Sequence, residues 1–284
     1  MYTNDWASMA EYLRPQRLEE ALLALARPVT VLAGGTDFYP ARVGRTIEED
    51  ILDITAIEAL RGVREDDAGW RIGATTRWNE LIEASLPPLF DGLKQAAREI
   101  GGRQIQNMGT IAGNLCNASP AADGAPCLLA LDAELEIAGP AGARRLSVGD
   151  FLLGVRRTAL APGELVIALH VKRPAHHSRS AFVKLGARRY LVISIAMAAA
   201  VIGMRDGHIV SARIAVGACS PVARRLPGPE AALAGAPLDG RLGERLEPGH
   251  LALLTPIDDM RGSAAYRGDV AATLLRRLLD GLAS

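Results

Sequence analysis

Three observations predict an α+β chain in two units. Helix-period stretches alternate with short strand-period stretches up to about residue 175. A strand-rich, then helical, module follows. Two glycine-rich segments, Val31 to Phe38 and Met108 to Asp123, both fall in the first part. A length of 284 residues is more than one small core requires and fits two units.

Glu11 to Ala26 carries Leu18, Leu22 and Leu25 at helix spacing, and Pro28 marks the stop. Val29 to Ala33 reads as a short buried strand entering Gly34-Gly35, and Ile51 to Ile54 as another, within a β-α-β-β opening. Trp70 to Thr76 is a strand, and Asn79 to Ala84 a helix ended by Pro87-Pro88. Leu89 to Ile100 is a helix closed by Gly101-Gly102. A short apolar helix from Leu128 leads into the alternating strand Ala133 to Ile137, and Gly139 to Gly142 is a turn. Leu165 to Val171 is a strand, and Pro174 to Ser180, with His176 and His177, a loop of solvated side chains. Phe182 to Leu185, Val192 to Ile202 and Ile209 to Val216 read as antiparallel strands, with Asp206-Gly207 as a hairpin turn. Pro221 to Gly249 is loop plus short helix, and Tyr266 to Leu282 a C-terminal helix with a leucine face.

Hydrophobic residues at 49% and charged residues at 23% place the chain among globular proteins. The 32 basic residues balance the 32 acidic ones, so nothing electrostatic favours nucleic acid or an anionic membrane. Cys116, Cys127 and Cys219 form neither a disulfide framework nor a zinc pattern, and they cannot ligate an iron–sulfur cluster; no metal site is expected. Such sparse thiols fit a reducing, cytoplasmic compartment. Met1 to Arg14 lacks the apolar core of a secretory signal. The most apolar stretch, Tyr190 to Met204, is too short to span a bilayer.

Gly34-Gly35-Thr36-Asp37 follows a strand; glycine permits φ > 0 and lets successive N–H groups converge on an anion, while an ordinary tight turn is the alternative. In the second segment Thr110, Gly113, Asn114, Ser119 and Asp123 gather small and polar groups suited to phosphate, ribose or ribityl hydroxyls and a ring edge; local turn capping is the alternative there. No G-x-G-x-x-G, P-loop, G-x-S-x-G or H-E-x-x-H occurs, and no catalytic side chain stands out. A cofactor that carries the chemistry itself suits such a chain.

Four ordered signatures then resemble one family. Ala33-Gly34-Gly35-Thr36-Asp37-Phe38 resembles A-G-G-T-D-L, and Thr110-Ile111-Ala112-Gly113-Asn114 with Ala118-Ser119-Pro120 and Asp123 resembles T-I-G-G-N-x-x-x-A-S-P-x-x-D. Lys184 to Arg189 resembles K-x-G-x-R-R, and Asp259 to Arg267 resembles D-x-R-G-S-A-x-Y-R. The chain is thus similar, nearly end to end, to the FAD-binding medium subunit of the xanthine dehydrogenase, or molybdenum hydroxylase, family.

That resemblance implies a vanillyl-alcohol-oxidase-type FAD-binding domain over 1–175, with subdomains of about 1–60 and 61–175, and a small α+β domain with an antiparallel sheet over 176–284. It implies FAD in an extended pose. Leu32 to Phe38 and Thr110 to Asn114, including Ala112, would hold the pyrophosphate and its surroundings. Ser119 and Asp123 would meet the polyol or ribose, and Val166 and Lys184 would lie near the ring. Ile100 stands where some relatives have an aromatic, and Ala112 replaces a glycine, at about 1 kcal/mol if φ > 0 is needed there. Tyr190 either lies over the ring or is a surface aromatic.

The resemblance also implies partners: a large subunit with a molybdenum cofactor and a small subunit with [2Fe–2S] clusters, as a dimer of heterotrimers. Electrons would pass to FAD and on to NAD⁺, oxygen or another acceptor. A stand-alone flavin oxidoreductase and a non-catalytic assembly protein are the competing readings.

Overall fold

The structure, a computed structural model, describes residues 10–283. Met1 to Met9, on which part of the leader reading rests, lie outside the described residues. Strands β1 (Tyr12–Leu13), β2 (Thr30–Leu32) and β3 (Ile51–Asp53) form a parallel sheet in the order β1-β3-β2, with helix α1 (Leu18–Ala24) between the first two in sequence. The helix expected from Glu11 thus begins only at Leu18. Pro15 disfavours helical backbone at Arg14, and Tyr12 and Leu13 pair with Ile51 and Leu52 instead.

Strands β4 (Val63–Asp66) and β5 (Gly69–Gly73) come next. Helices α2 (Trp78–Glu83), α3 (Asp91–Glu99), α4 (Arg103–Met108), α5 (Ile111–Cys116) and α6 (Gly124–Ala130) follow. Then come β6 (Glu134–Gly139), β7 (Gly142–Ser147), the one-turn helix α7 (Val148–Phe151), the hairpin β8 (Leu152–Gly154) and β9 (Arg157–Thr158), and β10 (Leu165–Lys172). An antiparallel sheet in the order β4-β5-β10-β6-β7 results. Its two edge strands escape the apolar pattern: Val-Arg-Glu-Asp and Gly-Ala-Arg-Arg-Leu-Ser are largely exposed, and charge on an edge discourages further pairing. Trp70, Ile72, Leu135 and Leu169 of this sheet share a core with Phe90, just before α3, and with Leu93, Leu115 and Leu128 of the helices. The Trp70 and Phe90 rings meet edge to face at 5.1 Å.

A third sheet, β11 (His177–Leu185), β12 (Ala196–Arg205), β13 (His208–Gly217) and β14 (Arg224–Arg225), is antiparallel in that order. His177 begins β11 instead of lying in a loop, paired with Met204. The strand expected from Val192 starts at Ala196, because Leu191 adopts φ 52° in the loop that turns the chain. Asp206 and Gly207 both have positive φ, as a two-residue hairpin of the mirror type requires.

β12 is buried on both faces. Its Met197, Ala199 and Val201 join the core of helices α3 and α6, and Ala196, Ala198, Ala200 and Ile202 join a second core. That second core is closed by helix α8 (Pro227–Leu233) and by helix α9 (Ala264–Ala283), through Leu274, Leu275, Leu278 and Leu279. Each such leucine contributes about 1.5–3 kcal/mol.

Candidate functional site

A cleft of about 760 Å³ opens where the parallel sheet meets the five-stranded sheet. That volume falls in the range of small-molecule sites, about 300–1,000 Å³. Leu32 to Phe38, Ile100, Thr110, Ala112, Gly113, Asn114 and Val166 all line it. The two glycine-rich segments touch each other at its base: a Cβ built on Gly34 would collide with the Met108 carbonyl and lie 2.9 Å from the Gly109 Cα.

Their main chains differ. After β2 the chain leaves the sheet and turns, with Gly35 at φ 68°. Among the described residues, no N–H from Ala33 through Phe38 donates to another group of the chain. Consecutive free N–H groups in a turn with a left-handed residue make an anion-binding concavity. The Thr36 hydroxyl adjoins it.

The second segment contains a short helix. Thr110 caps α5, its Oγ1 accepting from Gly113 N at 3.2 Å. The N–H groups of Ile111 and Ala112 donate to Thr76 O and Ala74 O, and that of Asn114 to Thr110 O. The backbone here is committed to the fold, so the segment presents side chains to the cleft. Ala112 has ordinary helical φ, and the expected cost of replacing glycine there does not arise. Asn114 stands out: its Oδ1 is buried with no partner, 2.9 Å from where a Cβ on Gly124 would sit. A buried acceptor without a donor is costly and is expected where a ligand donor completes it.

Ser119, Asp123, Lys184 and Tyr190 do not line this cleft. Ser119 Oγ accepts from Ala121 N at 3.3 Å, closing a local turn. Asp123 takes a hydrogen bond from Lys184 Nζ at 2.8 Å and from Ser194 Oγ at 2.6 Å, and Lys184 also donates to Glu99 O at 3.0 Å. The pair is buried, with side chains 5% and 8% exposed, and it ties α6 to β11 beside Ile100. Burial pushes the Asp123 carboxyl up, against the pull of Lys184 and Ser194. Asp123 thus makes an internal ion pair, because the folded chain brings a lysine to it from β11. Tyr190 is exposed, with the Arg189 guanidinium 5.2 Å from its ring centroid.

The C-terminal signature is structural. Arg267, 3% exposed, donates to Ile195 O, Ala218 O and Asp259 Oδ1, pinning the start of α9 to the loops beside β12 and β13. Asp258 accepts from Ala264 N at 2.6 Å. The cysteines are free, and burial pushes the Cys219 thiol up to about 11, which leaves it inert.

Sequence reading missed Arg156, Asn117 and Glu164, which also line the cleft. Arg156 has φ 57° between the short strands β8 and β9, where alternation is too brief to read. Glu164 is held by Arg144 at 2.7 Å. Among the described residues no group of His, Cys, Asp and Glu is arranged to hold a metal ion, and no helix is long and apolar enough to cross a membrane.

Residues 8–174 match the family described as FAD binding domain in molybdopterin dehydrogenase, and residues 181–282 match the CO dehydrogenase flavoprotein C-terminal domain. The chain is 31% identical over 277 residues to the xanthine dehydrogenase FAD-binding subunit of Escherichia coli O157:H7, covering 95% of each. It is 32% identical over 280 residues to the carbon monoxide dehydrogenase medium chain of Afipia carboxidovorans, again covering 95% of each. The fold superposes on a chain of carbon monoxide dehydrogenase from Hydrogenophaga pseudoflava with a TM-score of 0.86, at 30% identity, over 96% of this chain and 97% of that one.

Proposed function

Because the chain belongs to the family of FAD-binding domains in molybdopterin dehydrogenases, we propose that it is the flavin relay of a multi-subunit oxidoreductase. In this reading it receives electrons from a [2Fe–2S] partner and passes them to NAD⁺, oxygen or another acceptor, beside a molybdenum-cofactor subunit in a dimer of heterotrimers. The observation that carries the cofactor assignment is the cleft itself, lined both by Ala33 to Phe38, whose N–H groups are free, and by Asn114, whose buried Oδ1 has no partner.

These residues fit FAD. The N–H groups of Ala33 to Phe38 and the Thr36 hydroxyl would hold the diphosphate, with Leu32 closing the strand behind them. Asn114 would satisfy its buried oxygen on a donor of the cofactor. Ile100 and Val166 would give the ring system apolar walls, with Ala112 and Gly113 keeping the approach open. Lys184 and Asp123 would act from behind Ile100, as a fixed pair that sets the local field. Ser119 would hold the turn that precedes Asp123. Bound FAD supplies a carrier that accepts electrons singly and releases them in pairs; the protein positions it and tunes its potential.

The sheets support a division into 1–175 and 176–284. The parallel sheet ends at Asp53, the five-stranded sheet runs from Val63 to Lys172, and the third sheet begins at His177.

The test is anaerobic. The full chain, assembled with its iron–sulfur and molybdenum partners, is reduced through the iron–sulfur subunit while flavin absorbance is followed. Bleaching, then recovery with NAD⁺ or oxygen, is expected; a flavin that never bleaches while the clusters are reduced rejects the relay. Tyr190→Ala then decides the role of the exposed ring: altered acceptor kinetics place it over the flavin, and unchanged kinetics make it a surface aromatic.

A further inference from the structure

We propose that Arg156 is an exchangeable latch over the cleft, held by Asp37 in the empty site and transferred to the diphosphate when FAD enters. The inference rests on the reading of the cleft as an FAD site and adds to it a residue and an exchange.

Two arginines line the cleft, and they are in different states. Arg42 is committed: it lies over the Phe38 ring at 3.8 Å, pairs with Glu49 and donates to Phe38 O at 3.1 Å. Arg156 is not. Its guanidinium donates to the carbonyl and side-chain oxygens of Asn117, which are neutral and leave its charge uncompensated. Its carboxylate partner is Asp37, at 3.9 Å, with both side chains more than half exposed at 56% and 62%. A solvated pair at that distance contributes little and is easily exchanged.

The geometry around it is fixed. Arg156 N donates to Ala118 O at 2.9 Å, which ties the β8–β9 turn to the end of the second glycine-rich segment. The residue holds φ 57°, a conformation that arginine adopts only when its surroundings impose it. Asp37 belongs to the turn whose N–H groups are free. The charge of Arg156 is therefore held beside the turn that carries those free N–H groups, with only the Asp37 carboxylate to pair with until a stronger anion arrives. Guanidinium and phosphate pair through two parallel hydrogen bonds, which a carboxylate at 3.9 Å does not match.

The experiment titrates the flavin-stripped full chain with FAD and, separately, with riboflavin, which lacks the diphosphate, reading flavin fluorescence. Arg156→Gln is expected to weaken FAD about 10- to 100-fold, as loss of a hydrogen bond to a charged group would. Riboflavin binding should stay unchanged, and FAD binding should lose part of its dependence on ionic strength. Arg156→Lys should recover part of the loss. Asp37→Asn, which frees Arg156, should bind FAD as tightly as the wild type or more tightly. Should Arg156→Gln fail to fold by circular dichroism, the lysine and Asp37 variants carry the test. Wild-type FAD affinity in Arg156→Gln, an equal loss of riboflavin, or weaker FAD binding in Asp37→Asn overturns the latch and leaves the FAD site standing. A wild-type chain that takes up no FAD overturns the site, and the latch with it.

Discussion

From Ala33 to Phe38 the chain is a loop whose N–H groups donate to nothing among the described residues; from Ile111 to Asn114 it is a helix whose N–H groups are all donated to the fold. The two segments look alike as sequence, since both combine glycine, threonine and a polar side chain. Their glycines serve different ends. Gly34 and Gly35 let a turn pass against Met108 and Tyr39 with its donors outward. Gly109 and Gly113 make room for Trp78 and for the Thr110 cap, so that a short helix can start beneath the loop. One segment offers backbone to a ligand, and the other supports it and adds a side chain.

The comparison breaks most severely at Gly34. Gly34→Ala forces Met108 and the loop apart and is expected to destabilise by about 3 kcal/mol, as overpacking does, while abolishing flavin retention. Urea denaturation and flavin absorbance read both effects. Thr110→Ala removes the cap from α5 and should cost about 1–2 kcal/mol of stability. Because it touches the support and not the free donors, FAD affinity in the folded variant should change less than stability; an affinity loss without destabilisation would reverse the roles assigned to the two segments.

Asn114→Ala should separate the effects further. It removes a buried acceptor that has no partner, so the cofactor-free protein should change by no more than about 0.5 kcal/mol. FAD affinity should nonetheless fall about tenfold. Calorimetry of the stripped protein, beside a flavin titration, tests the pair of outcomes.

The smallest effect concerns the sheet beneath the first loop. The Tyr12 hydroxyl donates to Asp53 Oδ2 at 2.7 Å, and that bond, with burial and the Asp53 charge, raises its pKa from 10.0 to about 12. A raised folded-state pKa gives stability that is fully present below pH 10.0 and is lost as pH rises through about 12. Tyr12 is half exposed, so Tyr12→Phe should cost no more than about 0.5 kcal/mol at neutral pH. The cost should vanish above pH 12, and the phenol should titrate late in a difference spectrum.

Main-chain demands were the most legible feature of the sequence. Gly34, Gly35, Gly113 and Asn114 mark the cleft because their sizes and polar groups carry the signal themselves. The apolar strands read at Ile51 to Ile54, Trp70 to Thr76 and Leu165 to Val171 were legible for a similar reason, since burial writes hydrophobicity into them. Charged edge strands such as Gly142–Ser147 were not, because they bury little and pair through backbone. Arg156 was hidden by its unusual backbone, and the partners of Asp123 were hidden by distance along the chain. An ion pair between residues so far apart in sequence has no local signature.

The alternation of β12 has a consequence for cooperativity. Met197, Ala199 and Val201 seal the helices beside the cleft, while Ala198, Ala200 and Ile202 seal the leucine face of α9. A fragment ending near residue 175 would leave Leu93 and Leu128 without that wall. The two cores are therefore expected to open together, and the slowest amide hydrogen exchange in the molecule is expected along Ala198 to Ile202, in the strand that both share.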